Sequence, residues 1–469
     1  MTMTTRCDHP DRAISIIGAG LAGALLARLL AQRGWQVDVY ERREDPRAGP
    51  VIGGRSINLA LAERGWNALR LAGVADAVAS QAIAMRGRAV HAMDGRVEVQ
   101  PYGLTDAHVI HSVHRANLNR LLVDQAAAAG ARLHFECGLR DVDWDRNELL
   151  LESDGQTLRR PFGRVIGADG AGSPLRAALA RVTPQQEVWE PLGHGYKELS
   201  IPPAADGSFR MDPNALHIWP RGEFMLIALP NADRSYTVTL FLPLQGPRSF
   251  EQLQSPAAID AFFQTEFPSA VPYLQDLQSE FAENPLGQLG TLRLSPWRLG
   301  ERALLIGDAA HAVVPFHGQG MNCAFEDCAL LARLLEGPDC SDAFAQLEQQ
   351  RKANADAIAT MAVENYQEMR DAVAQAGFLW RRQIEHALTT RFPERVLSRY
   401  ALVSFTQVPY AEAQRRGAIL GGIIDRLQTA TDLDAIDWTL AATLVHERLS
   451  VLPDAAQLGH VDRQCPAIP

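Results

Sequence analysis

A glycine-rich turn between a strand and a helix constrains this chain more than any other feature. The β-branched run "ISII" precedes "GAGLAG", and "LAGALLARLLAQRG" follows with helical character. Strand, G-x-G-x-x-G and helix in this order are the context that a dinucleotide-binding turn requires. Gly18 permits the tight turn, Gly20 lets the backbone approach a pyrophosphate, and Gly23 lets helix and strand pack closely. The N–H groups at the helix start then face the phosphates.

The strand-like run "WQVDVY" comes next and leads into Glu41. A carboxylate about twenty residues beyond the glycine turn can accept hydrogen bonds from both hydroxyls of an adenosine ribose. These features alone do not separate NAD from FAD. The following segment, "ERREDPRAGPVIGGRSINLALAERG", is a long glycine-rich connection rather than the regular strand–helix series of a nicotinamide dehydrogenase. Loops of this length and composition tend to be functional or mobile.

Two later segments also pass from a strand into a turn. In "VIGADGAGSPLR" an apolar strand end leads into Asp169 and Gly170, which taken alone is an ordinary turn signal. In "ALLIGDAAHAVVPFHGQGMN" a strand ends at Asp308, and a loop that contains proline and glycine follows. Both acids therefore stand where a strand ends.

The helix after this loop points to a flavin. The run "MNCAFEDCALLARLLEG" predicts a helix that stops at Gly337, so the backbone N–H groups of Gly320, Met321 and Asn322 point at whatever lies before it. Reduced flavin develops negative charge at its N1 and O2 positions and would be stabilised there. We expect Asp308 to face the ribityl chain, the helix start to face the pyrimidine edge, and the loop to face the substrate.

Composition narrows the class of protein. With 469 residues, 47% of them hydrophobic, the chain can bury the core of one compound fold or of two or three domains. A net charge of -10 without a basic run predicts no nucleic-acid partner. The six cysteines form no C-x-x-C pair, which predicts no disulfide framework and no metal site and favours the cytoplasm. The apolar run 13–27 is interrupted by Arg28, so we expect no membrane span.

Taken together, the motifs resemble a known class of enzymes. "GAGLAG" with "ER", "GADGAGSPLR" and "GDAAHAVVPFHGQGMN" resemble, in order and spacing, the three motifs of single-component flavin-dependent aromatic hydroxylases, which are similar in fold to para-hydroxybenzoate hydroxylase. The segments "RSINLALAERG", "HGYKEL", "NALHIWPRGEFMLIALPNADRSYTVTLFLP", "VENYQEM" and "RYALVSFTQVPY" resemble one family of that class, the kynurenine 3-monooxygenases. This resemblance runs from about residue 12 to about residue 425.

The resemblance implies an FAD enzyme that uses NADPH and O2 to hydroxylate L-kynurenine to 3-hydroxy-L-kynurenine through a flavin C4a-hydroperoxide, in tryptophan degradation and pyridine nucleotide biosynthesis. FAD is expected to be tightly bound. NADPH is expected to dock transiently, because no second G-x-G-x-x-G follows a strand-like run. The flavin supplies the chemistry, so no catalytic side chain is expected beyond positioning groups. Besides the motif residues Gly18, Gly20, Gly23, Asp169 and Gly320, the implied FAD contacts are Leu21, Ala22, Glu41, Arg42, Ala60, Arg115, Leu139, Asp308, Met321 and Asn322.

Kynurenine needs a cation for its carboxylate and an apolar slot for its ring. In "RGRAVHAMDGRVEVQPYG" the Asp-Gly turn predicts a hairpin. A three-residue loop with Met93 opposite Val97 puts Arg88 opposite Tyr102 on one face, whereas a two-residue turn puts them on different faces. On one face the arginine and the hydroxyl can bind a carboxylate together. Arg88 also fits a solvated strand arginine.

The run 216–243 supplies the slot. Met225, Ile227 and Leu229 alternate onto one face of a strand, and ordinary hairpin registers add Leu216 and Phe241 to that face, although such a stripe also fits plain core.

Four further positions come from the resemblance. Asn365 and Tyr400 match residues that bind the amino-acid group of the substrate, and each also fits a solvated or packing residue. Phe316 and His317 are expected to face the substrate ring, with His317 as a positioning group or hydrogen-bond donor, or else as a packed loop histidine.

The resulting fold class is α/β, with a Rossmann-like FAD-binding domain interleaved with a β-sheet substrate domain and followed by a C-terminal α-helical cap. The expected segments are 12–75, 104–180 and 288–338 for FAD, 76–103 and 181–287 for the substrate, and 345–450 for the cap. We expect a monomer or weak homodimer. Two other functions fit the residues: a hydroxylase of the same class that acts on another aromatic acid or a phenol, and a flavin-binding redox sensor or partner-binding module.

Overall fold

The computed structural model describes residues 12–49, 58–103, 108–337, 340–369 and 376–453. Residues 50–57 of the glycine-rich connection lie outside them. The strands are β1 (Ala13–Ile17), β2 (Gln36–Tyr40), β3 (Asn58–Leu61), β4 (Ile83–Met85), β5 (Gly87–His91), β6 (Val97–Pro101), β7 (Ile110–His114), β8 (Arg132–His134), β9 (Cys137–Asp143), β10 (Glu148–Ser153), β11 (Gln156–Pro161), β12 (Arg164–Gly167), β13 (Gln186–Ile201), β14 (Ala215–Pro220), β15 (Met225–Pro230), β16 (Tyr236–Pro243), β17 (Gly287–Ser295), β18 (Arg298–Leu299) and β19 (Ala303–Leu305).

The helices are α1 (Leu21–Gln32), α2 (Glu63–Leu71), α3 (Ala75–Ala79), α4 (Arg115–Ala128), α5 (Pro174–Ala180), α6 (Pro256–Glu266), α7 (Leu277–Glu283), α8 (Asp308–His311), α9 (Gly320–Leu334), α10 (Ala343–Gln367), α11 (Ala376–Arg391), α12 (Arg399–Phe405), α13 (Tyr410–Leu427) and α14 (Trp438–Arg448).

The nucleotide half is built on a six-stranded sheet in the order β18-β19-β12-β1-β2-β8. Its strands are parallel except for β18, which runs antiparallel to β19. The central strand β1 is buried from Ile14 to Ile17, and α1 buries eight of its twelve residues against the sheet. A strand buried on both faces reads as a continuous apolar run, which is why "ISII" predicted it.

The substrate half is built on a seven-stranded sheet in the order β17-β13-β16-β15-β14-β5-β6. One face packs on α6 and α7 through Phe224, Phe263 and Phe281, and the other face turns toward the nucleotide half. The expected boundary at residue 288 falls inside β17, which pairs with the long strand β13. Residues 287–295 therefore extend this second sheet.

Helices α10 to α14 form the C-terminal part. Leu388, Leu420 and Leu444 share one core of α11, α13 and α14, while α10 and α12 share a second core with α9 and the start of α13. This arrangement confirms the interleaved α/β fold with a helical cap. Among the described residues, no helix combines the length and apolar character that crossing a membrane requires.

Candidate active site

The glycine turn between β1 and α1 has the geometry that its sequence predicts. Gly18 has φ +100°, a left-handed value that favours glycine. A methyl group on Gly23 would lie 1.9 Å from the Gly18 carbonyl oxygen, so the helix can approach the turn this closely only with glycine there. A methyl group on Gly20 would meet no atom within 4 Å, because this position faces an open cavity.

Glu41 follows β2 and lies buried beside this turn. Its carboxylate accepts hydrogen bonds from the backbone N–H groups of Ala19 at 2.9 Å and Arg43 at 3.0 Å, and from the Arg43 guanidinium at 2.9 Å. Burial raises the pKa of Glu41, but the hydrogen bonds and charge of Arg43 outweigh burial and lower it. A charged acceptor therefore lines the cavity where ribose hydroxyls are expected.

The cavity has a volume of about 740 Å³ and runs from the glycine turn to the seven-stranded sheet. The expected FAD residues that line it are Gly18, Gly20, Leu21, Ala22, Glu41, Arg42, Ala60, Arg115, Leu139, Asp169, Asp308, Gly320 and Met321. The expected substrate residues that line it are Arg88, Leu216, Met225, Ile227, Leu229, Phe241, Phe316, His317 and Tyr400. The expected residues that do not line it are Gly23, Tyr102, Asn322 and Asn365.

Asp169 gives a direct test of whether the cofactor end fits a ligand. Its Oδ2 accepts a hydrogen bond from the Leu175 N–H at 3.1 Å, whereas its buried Oδ1 has no hydrogen-bond partner in the described part of the chain. Burial raises the pKa of Asp169. Buried polar atoms are nearly always hydrogen-bonded, so a hydroxyl-bearing ligand fits this position. Together with the open face of Gly20 and the acceptor Glu41, this end of the cavity fits FAD.

The flavin end is formed by the starts of α8 and α9. Asp308 opens α8 directly after Gly307, which has φ +57°, and Gly320 opens α9. Helix α9 ends at Leu334 and not at the expected Gly337, because the Glu336 N–H bonds the carbonyl three residues back and tightens the last turn. The expected strand–acid–loop–helix order is otherwise present.

Asn322 lies fully buried in the first turn of α9. Its Oδ1 accepts a hydrogen bond from the Ala62 N–H at 3.0 Å, and its Nδ2 donates to the carbonyl oxygens of Ala60 at 2.9 Å and Gly318 at 2.8 Å. The side chain therefore fixes the loop and β3 rather than lining the cavity. Any contact of Asn322 with FAD has to come from its backbone.

At the substrate end, β5 and β6 form the predicted hairpin with a different register. The loop is 93–95, one residue earlier than expected, so Arg88 lies opposite Gln100. The expected opposite pairs, Met93 with Val97 and Arg88 with Tyr102, are wrong. Tyr102 still lies on the face of Arg88, diagonally across the hairpin, because a register shift of two residues leaves every side chain on its face.

Arg88 is buried at the centre of this end. Its guanidinium carbon lies 4.9 Å from the ring centre of Tyr400 and 5.7 Å from that of Tyr102. In the described ranges no carboxylate comes within the 4.0 Å of an ion pair with it. The Arg88 Nε and the Tyr102 hydroxyl are both buried without a hydrogen-bond partner there. Burial opposes the charge of Arg88, but Tyr400 and its other neighbours raise the pKa, so the guanidinium stays charged.

His317 ends a short 3₁₀ turn, 315–317, and its ring stacks on Tyr400 with ring centres 5.2 Å apart. Its Nδ1 is buried without a partner among the described residues, and burial lowers the pKa of His317 to about 3. The imidazole is therefore neutral near pH 7 and has one polar atom left for a ligand.

The apolar wall has the expected register. In β14–β15–β16, Met225 lies opposite Phe241, and the ladder puts Leu216 in line with Leu229. All five expected wall residues therefore share one face of the sheet, which confirms the alternation read from the sequence. Phe316 closes the slot, with its ring centre 4.9 Å from that of Phe241.

Asn365 lies on α10 behind Phe316. Its Nδ2 donates a hydrogen bond to the Phe316 carbonyl oxygen at 2.8 Å. The residue lines a second cavity of about 170 Å³, which shares Arg88, His317 and Tyr400 with the large one. The amino-acid end and the ring end of one ligand can therefore bind in two adjoining cavities.

Sequence reasoning missed several lining residues. Thr239 and Tyr196 lie on the cavity face beside the wall, and Met369 lines the large cavity, while Glu368 lines the small one. Alternation from Phe241 points to Thr239, and helical spacing from Asn365 points to Glu368, so both signals were present. No local signal distinguishes Tyr196.

Comparisons with known proteins agree with this site. The family model described as FAD binding domain matches residues 11–365. The chain is 51% identical to kynurenine 3-monooxygenase of Stenotrophomonas maltophilia (strain K279a) over 451 residues, which cover 95% of this chain and 99% of that protein. It is 50% identical to kynurenine 3-monooxygenase of Xanthomonas campestris pv. campestris (strain 8004) over 448 residues, which cover 95% and 98%.

Among solved structures, the fold is similar to the tetrameric form of 2-methyl-3-hydroxypyridine-5-carboxylic acid oxygenase, with a TM-score of 0.64 and 20% sequence identity. The match covers 78% of this chain and 94% of that one. At this identity the likeness concerns the fold alone.

Proposed function

The chain belongs to the kynurenine 3-monooxygenase family of FAD-dependent monooxygenases, and we propose that its large cavity holds FAD at the glycine turn and L-kynurenine at the seven-stranded sheet. As a member of this family it uses FAD, NADPH and O2 to hydroxylate kynurenine to 3-hydroxykynurenine. The roles of individual residues in this reaction are our proposal.

One observation supports the substrate position above all: Arg88 is a buried cation without a carboxylate partner. A buried guanidinium without an ion-pair partner has donors free for a bidentate bond to a carboxylate. The carboxylate of kynurenine supplies this partner, and the unpartnered hydroxyl of Tyr102 adds a donor beside it. Glu368 lines the adjoining small cavity and acts on the charge of Arg88, so it is placed to accept hydrogen bonds from the ammonium group.

The ring of kynurenine then lies in the apolar slot. Its walls are Leu216, Met225, Ile227, Leu229 and Phe241, and Phe316 closes it. Thr239 is a polar group within this wall and can contact the aniline amine or the ketone. Tyr400 and Asn365 fix the amino-acid end, the first by contact with Arg88 and the second by holding the Phe316 backbone.

At the other end, Gly20 leaves room for the pyrophosphate and Glu41 accepts from the ribose. Asp308 faces the ribityl chain, and the backbone N–H groups at Gly320 and Met321 face the pyrimidine edge. When bound, FAD takes hydride from NADPH and activates O2 for transfer of one oxygen atom to the substrate ring.

The protein's own contribution is binding, orientation and exclusion of water. His317 is neutral, so it serves as a hydrogen-bond partner and not as a general acid. Phe316 and Tyr366 stack with ring centres 3.9 Å apart and cover the slot from the cap side. We propose no catalytic triad and no metal in this reaction. We also propose a monomer or weak homodimer that works in the cytoplasm.

The test uses purified protein loaded with FAD. We expect NADPH oxidation that depends on L-kynurenine, with 3-hydroxykynurenine formed in proportion to NADPH consumed. Phenols and other aromatic acids serve as competing substrates in the same assay. Turnover of one of these without turnover of kynurenine would favour another hydroxylase of the class. Bound FAD without any substrate-dependent NADPH oxidation would favour a redox sensor.

A further inference from the structure

A buried chain of ion pairs lies behind the flavin end of the cavity. Asp327 on α9 accepts hydrogen bonds from His311 at 2.6 Å and from the Nε of Arg351 on α10 at 2.7 Å. Arg351 also donates to Glu326 at 2.8 Å, and Glu326 accepts from Arg64 on α2 at 2.7 Å. Burial opposes these charges, but His311 and Arg351 together lower the pKa of Asp327 to about 2, so these pairs are ionised.

This chain of ion pairs reaches the two backbone segments that face the proposed flavin position. Asp327 Oδ2 accepts a hydrogen bond at 3.1 Å from the N–H of Gly307, the residue before Asp308. Arg351 donates at 3.2 Å to the carbonyl oxygen of Cys323, in the first turn of α9. The turn at Asp308 and the start of α9 are thus held from behind by one set of charges.

The same chain extends to the helical cap. Arg64 donates to the carbonyl oxygens of Val403 and Val408 on either side of the end of α12, and its guanidinium lies 3.9 Å from the ring centre of Tyr410. The Tyr410 hydroxyl in turn donates at 2.8 Å to Gln319, the residue before Gly320. The start of α9 is therefore held at Cys323 by Arg351 and at Gln319 by Tyr410 of the cap.

A metal ion is a poor occupant of this cluster. His311, Cys323 and Asp327 offer donor atoms within 4.8 Å of one another. Arg351, however, donates to Asp327 at 2.7 Å and to the Cys323 sulfur at 3.1 Å, so its guanidinium already stands where a cation would bind. The cluster is complete as a set of ion pairs.

Stability alone does not explain such a cluster. Replacement of buried ion pairs by apolar residues of similar size is often neutral or stabilising, because the pairs have to offset the loss of hydration. Asp327 is fully buried, and Arg64 is 1% exposed. These charges of both signs lie one hydrogen bond away from the cavity wall. They would therefore interact with a charge that develops inside the cavity.

We propose that Asp327, Arg351, Glu326 and Arg64 form a positioning network that fixes the Asp308 turn and the start of α9 and sets the reduction potential of bound FAD. The proposal depends on the placement of FAD given above. Reduced FAD has more negative charge at its pyrimidine edge than oxidised FAD. Removal of a positive charge from the network therefore weakens binding of the reduced form relative to the oxidised form, and removal of a negative charge strengthens it.

Two neighbouring variants of opposite charge test this idea. Arg351→Gln removes a positive charge and Glu326→Gln removes a negative one from the same ion pair. For one unit charge across a partly polar interior we expect about a tenfold change in the ratio of reduced to oxidised FAD affinity. Tenfold corresponds to about 30 mV for a two-electron couple. Equilibration with reference dyes measures the potential, and fluorescence titration measures the affinity for oxidised FAD.

We expect a lower potential for Arg351→Gln and a higher one for Glu326→Gln. The matched controls are Lys352→Gln and Asp356→Asn, which break an ion pair on the solvent side of the same helix. In these controls we expect the ratio of reduced to oxidised FAD affinity to stay within about threefold of the parent value. Shifts of the same sign in both test variants, or shifts no larger than in the controls, would overturn the proposal. If Arg351→Gln does not fold, Arg64→Gln removes the same charge from the next pair and carries the same expected sign.

Failure of the network proposal can be distinguished from failure of the proposed function. If the protein hydroxylates kynurenine but its variants keep the parent potential, the proposed function stands and the network proposal is wrong. A protein that binds no FAD in any variant loses the placement of FAD itself.

Discussion

Arg88 allows the sharpest prediction, because the same change should leave stability nearly unchanged and lower activity strongly. The substitution is Arg88→Met, which keeps much of the side-chain length and removes the charge. Arg88 is 8% exposed and has no carboxylate partner in the part of the chain that the structure describes. Burial opposes the charge of Arg88, but its neighbours raise the pKa and offset that cost, so Arg88→Met is expected to change the free energy of unfolding of the substrate-free protein by less than about 1 kcal/mol.

The substrate-bound state should lose much more. Hydrogen bonds to charged groups each contribute about 1.5–3 kcal/mol, and a guanidinium can donate two of them to a carboxylate. We therefore expect a loss of at least about 3 kcal/mol of binding free energy, or roughly a hundredfold in kcat/KM for kynurenine. Most of the loss should appear as a higher KM and a higher Kd, since the carboxylate is held equally in the ground state and the transition state.

Steady-state kinetics of NADPH oxidation and thermal unfolding of the same preparation provide the two measurements. Arg86→Met is the matched control, because Arg86 is exposed and precedes β5 by one residue. It should leave both quantities nearly unchanged. A Kd for kynurenine within about threefold of the parent value in Arg88→Met would show that the carboxylate binds elsewhere. A large loss of stability would show that Arg88 is satisfied by the protein itself.

Three further predictions follow from other parts of the molecule. Gly23→Ala should prevent the fold of the glycine turn, since its methyl group would lie 1.9 Å from the Gly18 oxygen, whereas Gly20→Ala should leave thermal unfolding of the FAD-free protein unchanged and weaken FAD binding at least about tenfold in a fluorescence titration. On acidification from pH 6.5 to about 4, His91 should contribute up to about 2 kcal/mol, after allowance for solvent screening, to the loss of free energy of unfolding, because burial lowers its pKa to about 4 and the unfolded chain takes up a proton that the folded protein excludes. Burial lowers the pKa of His111 and His317 as well, so His91→Phe should reduce this dependence in denaturant titrations without abolishing it. Kynurenine should accelerate reduction of FAD by NADPH, and equal stopped-flow rates with and without it would contradict this.

The parts of the fold that could be predicted are those in which neighbouring residues carry the information. The turn at Gly18 needs a left-handed backbone angle, and Gly23 needs a missing side chain, so the sequence itself states both requirements. The wall around Met225 follows from strict alternation in strands joined by short turns. These features depend on contacts within a few dozen residues.

The hairpin of Arg88 shows where such reasoning ends. The Asp-Gly pair indicates a turn, but three residues from Met93 or three from Asp94 can form the loop, and the segment itself does not decide between them. Asn322 is a second case. Its hydrogen bonds to Ala60 and Ala62 cross about 260 residues of chain, so its structural role could not be read from its own segment.

The ion pairs behind α9 could not be predicted for the same reason. Arg64, Glu326 and Arg351 come from three distant helices, and in the sequence each is an ordinary charged residue in a helical run. Only the packed structure shows that Arg64 and Arg351 are buried and that the Glu326 side chain is 15% exposed between them. A sequence reading assigns such residues to solvent, because most charged residues are exposed.

The two ends of the cavity accommodate buried charge in different ways. At the flavin end, Arg351 and Arg64 are each matched by a carboxylate, so this end can exist without a ligand. At the substrate end, Arg88 faces the rings of Tyr102 and Tyr400, which attract a cation by about 0.5–2 kcal/mol each, and Glu368 acts on its charge from the small cavity. No carboxylate of the described residues forms an ion pair with it, and its Nε is buried without a hydrogen-bond partner. Kynurenine is therefore the partner that completes the second end. The protein should bind FAD with similar affinity in the presence and absence of kynurenine, and by reciprocity kynurenine should raise the resistance to thermal unfolding by a similar amount with and without bound FAD, in addition to the stabilisation that FAD itself provides.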